Sequence, residues 1–420
     1  MYNIRMIKDL FVALYGQTGL QVISFIASSA IYWLPPLLAY ALLRAWTAYV
    51  RLDYFYNQDY LLLEIKLPRD LTKSPQAMEI FFASLYYTGG ESTFIDRGWD
   101  GKTRPWWSLE LVSLEGQVHF YIWTRAFFKN MIQAQIYAQY PSVEIHEADD
   151  YTRGVYYDNK TMSMWGCYFR KSPKKPDAYP IKTYVDYGLD KTSVEEEEKV
   201  DPMAAVLEYL SSIGKGEQIW IQIIMRAHTE EKPIPDLIFG AKDWKERATK
   251  EIDKIMKRDK KPKKDEKEAI NFGEFLLTKG ERAKVEAMER NVAKLPFDAG
   301  IRGMYIAKNE NFDAISIPGL IGSFRQYSSN DLNEIKFYDW TDFDYPWQDF
   351  RNMRKDYMKR KILAAYKARS FFYPPYQKRH FVLSSEELAT IFHLPGKVVE
   401  TPSLNRVVSR KAEAPANLPI

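Results

Sequence analysis

The chain has 420 residues, 46% of them hydrophobic and 27% charged, with 20 Gly, 22 Pro and one Cys. These proportions exclude collagenous, disulfide-scaffolded and wholly disordered classes, and leave a folded protein of two to three domains at roughly 150 residues each. A net charge of +4 is too small to name a partner, so electrostatic arguments must be local, and Cys167 has no mate for an intramolecular disulfide.

From the N-terminus, no charged side chain occurs between Asp9 and Arg44, and Gly19 to Leu43 reads GLQVISFIASSAIYWLPPLLAYALL. A helix of about 20 apolar residues crosses a hydrocarbon core about 30 Å thick. The pattern therefore predicts an N-terminal segment over 1–18 and one transmembrane helix over 19–43. Pro35-Pro36 predict a kink or the interfacial end of that helix. Tyr32, Trp33, Tyr40, Trp46 and Tyr49 suit an aromatic belt, and Arg44 and Arg51 suit headgroup anchors. Arg5 and Lys8 before the span balance Arg44 and Arg51 after it, which leaves orientation open.

From Tyr60 the pattern is that of an α+β domain. LLLEIKLP alternates Leu63, Ile65 and Leu67 with Glu64 and Lys66, the period-two signature of a half-buried strand. Ser74-Pro75 opens a helix, and Gly89-Gly90 can end it. WWSLELVS and QVHFYIWT form a hairpin across Leu114-Glu115-Gly116. Phe128, Ile132 and Ile136 then recur at helical spacing, and VEIHE alternates again. The order β-α-β-β-α-β predicts a ferredoxin-like unit over 55–150. A less regular copy is predicted over 160–340, built from MSMWGCYFR, a helix opened by Asp201-Pro202, EQIWIQIIMR, GMYIAK and a helix through Leu320 and Phe324. It carries a Lys/Glu-rich helical insertion at 241–294. The fold class is thus α+β: an N-terminal transmembrane helix, tandem ferredoxin-like (βαββαβ) units with a helical insertion, and a C-terminal connector.

Residues 345–380 hold ten Lys or Arg against Asp349 and Asp356, a local excess of eight positive charges, interleaved with nine aromatics. Two arrangements are open. In one, Phe350, Met353, Tyr357, Ile362 and Tyr366 face a core while the cations stay in water. In the other, Arg351, Arg354, Lys355, Lys359, Arg360 and Lys361 meet the phosphates of nucleic acid or lipid, and exposed rings stack on unpaired bases.

Catalytic patterns are missing. Gly214-Lys215 and Gly396-Lys397 lack the spacing and hydroxyl of a P-loop, and Gly90-Glu91-Ser92-Thr93-Phe94 lacks the second Gly of a nucleophile elbow. Cys167 sits in an apolar run as a small core residue, and the five His show no metal-ligand spacing. Asp339, Asp342 and Asp344 form a short acidic pattern that loop capping explains equally well. No enzyme activity, cofactor or metal is expected.

The stretch from Phe381 onward holds a strand, a capping box from Ser384 to Glu387 and a short helix ending before Pro395. Its phrases SSEELATIFHLPG, ETPSL and SRKAEAPANLP resemble the connector upstream of the ATPase core in bacterial HerA/FtsK-type and type IV coupling-protein-like ATPases. LLEIKLPRDLTKSPQAMEIFF, RPWWSLELVSLEGQVHFYIWTR and IQAQIYAQYPSVEIHEADDY resemble an uncharacterised family of bacterial membrane proteins associated with conjugation or type IV secretion. The resemblance covers residues 55 to 420, with 381–420 as the connector-like tail. It implies a non-catalytic single-pass membrane anchor or assembly platform for a HerA/FtsK-like translocating ATPase acting in trans. Membrane lipid and that ATPase are then the partners, the folded part lies in the cytoplasm, and Glu386, Glu387, Leu394 and Arg410 are candidate partner contacts. The alternative is a membrane-tethered nucleic-acid-binding protein using 345–380, with DNA as partner.

Overall fold

The computed structural model describes residues 2–68, 73–191, 200–229, 244–256, 277–396 and 406–407. The Glu run at 195–198 and the Lys cluster at 257–269 lie outside them. Two units separate: residues 1–57 with 90–103, and residues 58–89 with 104–420.

The first unit is built on one helix, α1 (Tyr2–Tyr56), which continues through Pro35 and Pro36 instead of ending there. The transmembrane expectation is corrected here. Among the described residues no helix is long and apolar enough to cross a membrane. From Ala27 onward the run is diluted by Ser28, Ser29, the two prolines and the hydroxyls of Tyr32 and Tyr40. The earlier part of the expected span, apart from Ser24, lies outside the residues whose side chains are described. A short helix, α3 (Phe94–Gly98), starts at a reciprocal Thr93–Asp96 capping box. Trp46 Nε1 donates to Gly98 O at 2.9 Å. Gly101 has φ +62, and a Cβ there would collide with Val50 O, so only glycine fits.

In the second unit the chain runs β1 (Tyr60–Pro68), α2 (Gln76–Ser84), β2 (Trp107–Leu114), β3 (Gln117–Arg125), α4 (Lys129–Gln139) and β4 (Glu144–Ala148). It continues through β5 (Met162–Lys171), α5 (Pro202–Ser211), β6 (Glu217–Ala227), α6 (Trp244–Ile255), α7 (Lys279–Ala293), β7 (Pro296–Lys308), α8 (Ser316–Gly322) and β8 (Ile335–Tyr338). The last elements are α9 (Met353–Lys367), β9 (Phe381–Ser384), α10 (Ser385–Ile391) and β10 (Arg406–Val407). One sheet runs β1-β3-β2-β6-β7-β5-β8, with β4 also on β1 and β9 also on β7, and all these pairs are antiparallel. Two-residue β10 adds to β1 in parallel. The first half has the chain order βαββαβ, the second has it with α6 and α7 inserted between β6 and β7, and β2 against β6 joins them in one α+β sheet.

Local chemistry explains the register. Glu115 (φ 52) and Gly116 (φ 87) both adopt left-handed conformations between Leu114 and Gln117, the two-residue turn whose twist matches a hairpin. On one face, Leu63 and Ile65, Leu109 and Leu111, Phe120 and Ile122, Ile221 and Ile223, and Phe297 and Ile301 are buried in a single cluster with side chains from α2, α4, α5, α8 and α10. The opposite face is polar at its centre, with Ser108, Glu110, Gln222, Arg226, Asp298 and Arg302 buried there. It is covered by the second half of α9 and the strap after it: a Cβ on Gly166 would meet Ile362 at 3.1 Å, and one on Gly300 would collide with the Phe371 ring. Covering both faces leaves β6 and β7 buried almost throughout.

The insertion packs as two helices, with Ala248 and Ile252 of α6 against Val285 and Met288 of α7. Of the segment expected as a connector, the part described from Phe381 to Pro395 is interior. β9 pairs with β7, the Ser384–Glu387 capping box forms, and Leu388, Ile391, Phe392 and Leu394 join the core.

Candidate basic aromatic interface

The loop from β8 to α9 is tied to the sheet at Thr341: Gly166 N–H donates to Thr341 Oγ1 and Thr341 N–H to Gly166 O, each at 3.0 Å. Beyond that anchor the chain makes a 3-10 turn at Pro346–Gln348 and a second tight turn at Phe350–Asn352 before entering α9. Of the residues expected on a core face, only Ile362 and Tyr366 are buried. Phe350 (71% exposed), Met353 (62%) and Tyr357 (63%) stand in solvent, together with Trp347 (79%). The first part of α9 packs on one side only, where Asp356 accepts from Tyr157 Oη and Asn159 Nδ2 at 2.9 Å each, and the side carrying Met353 and Tyr357 is left in water. Tyr345 and Trp347 stack on each other, with ring centroids 4.7 Å apart and planes at 15°.

Two of the six candidate cations lie against these rings, and three are held elsewhere. Arg351 Cζ lies 5.1 Å from the Phe350 ring centre and Lys361 Nζ 5.7 Å from that of Tyr357. Arg354 donates to Gln348 O at 2.8 Å and sits over Phe343. Lys355 pairs with Asp342 at 2.5 Å. Burial lowers the Lys359 ammonium, opposed by the charges of Asp356 and Asp342. Among the described residues Arg351, Arg354, Arg360 and Lys361 have no carboxylate partner, so their charge is available to an outside anion.

Two basic residues of 345–380 leave the surface count. Arg369 is buried in a network with Glu110 and Asp150, and Lys378 pairs with Asp339. Two members of the acidic pattern, Asp339 and Asp342, are likewise used internally. Burial raises the Asp342 carboxyl, but the hydrogen bonds from Lys355 and the Phe343 N–H and the charges of Lys355 and Lys359 together outweigh it and leave it below its ordinary value. Among the described residues no group of three or more His, Cys, Asp or Glu side chains is placed to hold a metal ion.

The candidate partner contacts do not gather at a surface. Glu387 is fully buried, pairing with Lys171 at 2.7 Å and accepting from Ile181 N–H and Ser384 N–H at 2.9 Å each. Glu386 is buried against Thr183 and Arg290, Leu394 is in the core, and Arg410 lies outside the described residues. These carboxylates satisfy donors of their own fold, so none presents itself to a partner.

One cluster was not anticipated. Asp298, at the start of β7, receives Arg226 Nε at 2.9 Å and lies 2.6 Å from His228 Nδ1, with His380 Nε2 at 3.6 Å and Arg104 Nη1 at 3.6 Å. Burial raises the Asp298 carboxyl, but the His228 hydrogen bond and the charges of Arg226 and His380 outweigh it and hold it at about 2. The signal was in PFDAGIRGMYIAK, where Asp298, Gly300 and Arg302 recur every second residue of an apolar strand and so share one face. Cys167 is buried in β5 and burial pushes its thiol up, away from nucleophile chemistry.

A family model described as a domain of unknown function (DUF8128) matches residues 57–406. The comparison with curated proteins finds no match.

Proposed function

Since the chain belongs to the family of the domain of unknown function DUF8128, we propose its role from its own surface: a non-catalytic module that binds single-stranded nucleic acid on the ridge 345–361. The observation that carries this reading is the exposure of Trp347, Phe350 and Tyr357 beside Arg351, Arg360 and Lys361. Several large rings held in water side by side on one short stretch mark a contact surface. Rings stack on unpaired bases of any sequence, and neighbouring cations without internal partners neutralise the backbone. The Tyr345–Trp347 stack presents a flat, pre-ordered platform of the kind a base extends.

Fluorescence anisotropy with a labelled oligothymidylate tests this. Binding is expected at low salt, with log K falling linearly as log salt rises. Replacing Arg351, Arg360 and Lys361 together by Ala should flatten that slope by about 2, at roughly 0.7 per single-strand phosphate contact. Trp347→Ala should cost about 1–3 kcal/mol, the worth of one stacked base, with the slope unchanged. Absence of binding at low salt, or capture of anionic vesicles with no capture of the oligonucleotide, would overturn the reading.

A further inference from the structure

The ridge is held out by an unusual turn. Arg351 (φ 56, ψ 28) and Asn352 (φ 58, ψ 16) are consecutive non-glycine residues in the left-handed region, where a Cβ crowds the following carbonyl. Such strain persists only when the surroundings over-determine it. Asn352 makes no side-chain cap for α9, although it stands at the cap position. Asp349 supplies that cap from three residues upstream. Its carboxylate, 8% exposed, accepts Arg354 N–H on Oδ1 and Lys355 N–H on Oδ2, both at 2.9 Å. These are donors of the first helical turn, which no helical carbonyl can satisfy, and their dipole favours an anion. On the other side, Arg354 Nη1 reaches back to Gln348 O at 2.8 Å. The turn that carries Phe350 and Arg351 is thus closed by two clamps, one from the Asp349 carboxylate to the Arg354 and Lys355 N–H groups and one from the Arg354 guanidinium to Gln348 O.

We infer that Asp349 is a positioning residue for the ridge: its buried carboxylate fastens the strained turn and thereby fixes Phe350 and Arg351 in the orientation that meets a strand. The inference rests on the single-strand reading above and assigns the surface its pre-organisation. Without the carboxylate, the two left-handed residues relax, the first turn of α9 loses its cap, and ordering the ring and the cation becomes a cost of binding. Asp349 itself touches no ligand in this scheme, and its negative charge would repel one.

The test measures oligothymidylate affinity, its salt slope and the thermal midpoint for the full chain and three variants. Asp349→Ala should weaken binding about tenfold with an unchanged salt slope, since every available cation remains. Asp349→Asn, which keeps one acceptor and the same shape, should fall between the two and covers the case in which the Ala variant does not fold. Asn352→Gly in the Asp349→Ala background should recover part of the affinity, because glycine adopts φ near +58 without strain. A cap of purely structural importance would shift the midpoint and leave affinity untouched, and that result overturns the inference while the surface reading stands. Failure of the unaltered chain to bind overturns both.

Discussion

Arg369 carries the same formal charge as Arg360, yet the two do opposite work. The Arg369 guanidinium donates from Nε and Nη2 to the two Glu110 oxygens at 3.0 and 3.3 Å, and from Nη1 and Nη2 to Asp150. Burial alone would depress it, but Glu110 and Asp150 hold it fully charged. Arg302, equally buried, donates only from Nη2 to Ser370 O, while Nε and Nη1 find no partner among the described residues. Removing one member of a buried pair strands the other, at about 3–5 kcal/mol, whereas an apolar side chain in place of an unpaired charge costs much less. Arg369→Met is therefore expected to lower stability by about 3–5 kcal/mol in urea titration, and Arg302→Met by clearly less. The reverse ranking would mean that the Glu110–Asp150 site is not where the charge is compensated. A basic residue read from sequence has no exposure attached to it, which is why Arg369 entered the count of surface cations and then had to leave it.

At the scale of the element, β7 shows what such burial does to pH dependence. Asp298 is held at about 2, below its ordinary value of 3.8. A carboxyl depressed by folding adds stability above its unfolded pKa and loses it as pH falls through the folded one. Between about pH 4 and pH 2 the protein should lose about 2 kcal/mol from this group, since each tenfold gain in acidity on folding is worth about 1.4 kcal/mol. Asp298→Asn, less stable at neutral pH because Arg226 loses its partner, should show a flatter profile in that acid window; an unchanged profile would place the acid sensitivity elsewhere. The end of the strand was legible in GMYIAK, as were the β1 strand from its alternation, the turn at Glu115-Gly116 and the Ser384 cap, because each is fixed by local chemistry. The strand's polar half was not, since nothing local tells a solvated face from one covered by α9. The same gap explains the tail: SSEELATIFHLPG reads as a capped helix in either setting, and only the β7–β9 pairing makes it core. The ridge was half legible, in composition but not in which rings face water. The N-terminal run failed for a different reason, because freedom from charge is a weaker property than apolarity.

For the unit formed by residues 58–89 and 104–407 as a whole, the question is whether two βαββαβ halves unfold as one. Among the ties that cross between them, three stand out. Strands β2 and β6 pair from Trp107↔Met225 to Leu114↔Gln218. Arg369, held to Glu110 of β2, extends from the strap after α9, whose Ile362 lies over Gly166 of β5. Helix α10, entered from the β9 strand on β7, packs on α2 of the first half, where Ser385 Oγ donates to Glu79 at 3.1 Å. The apolar cluster is continuous across that seam, from Phe82 through Ile221 to Leu388. A break in it should therefore be felt at both ends. Ile221→Ala, at a fully enclosed site, is expected to cost about 2–5 kcal/mol. Amide hydrogen exchange should then show protection falling by the same amount in β3 and in β5, which lie on opposite sides of the seam, because both open only through the shared global transition. If β3 kept its protection while β5 lost it, the halves would be separate folding units, the seam a mere contact, and the ridge on α9 an appendage of the second half alone.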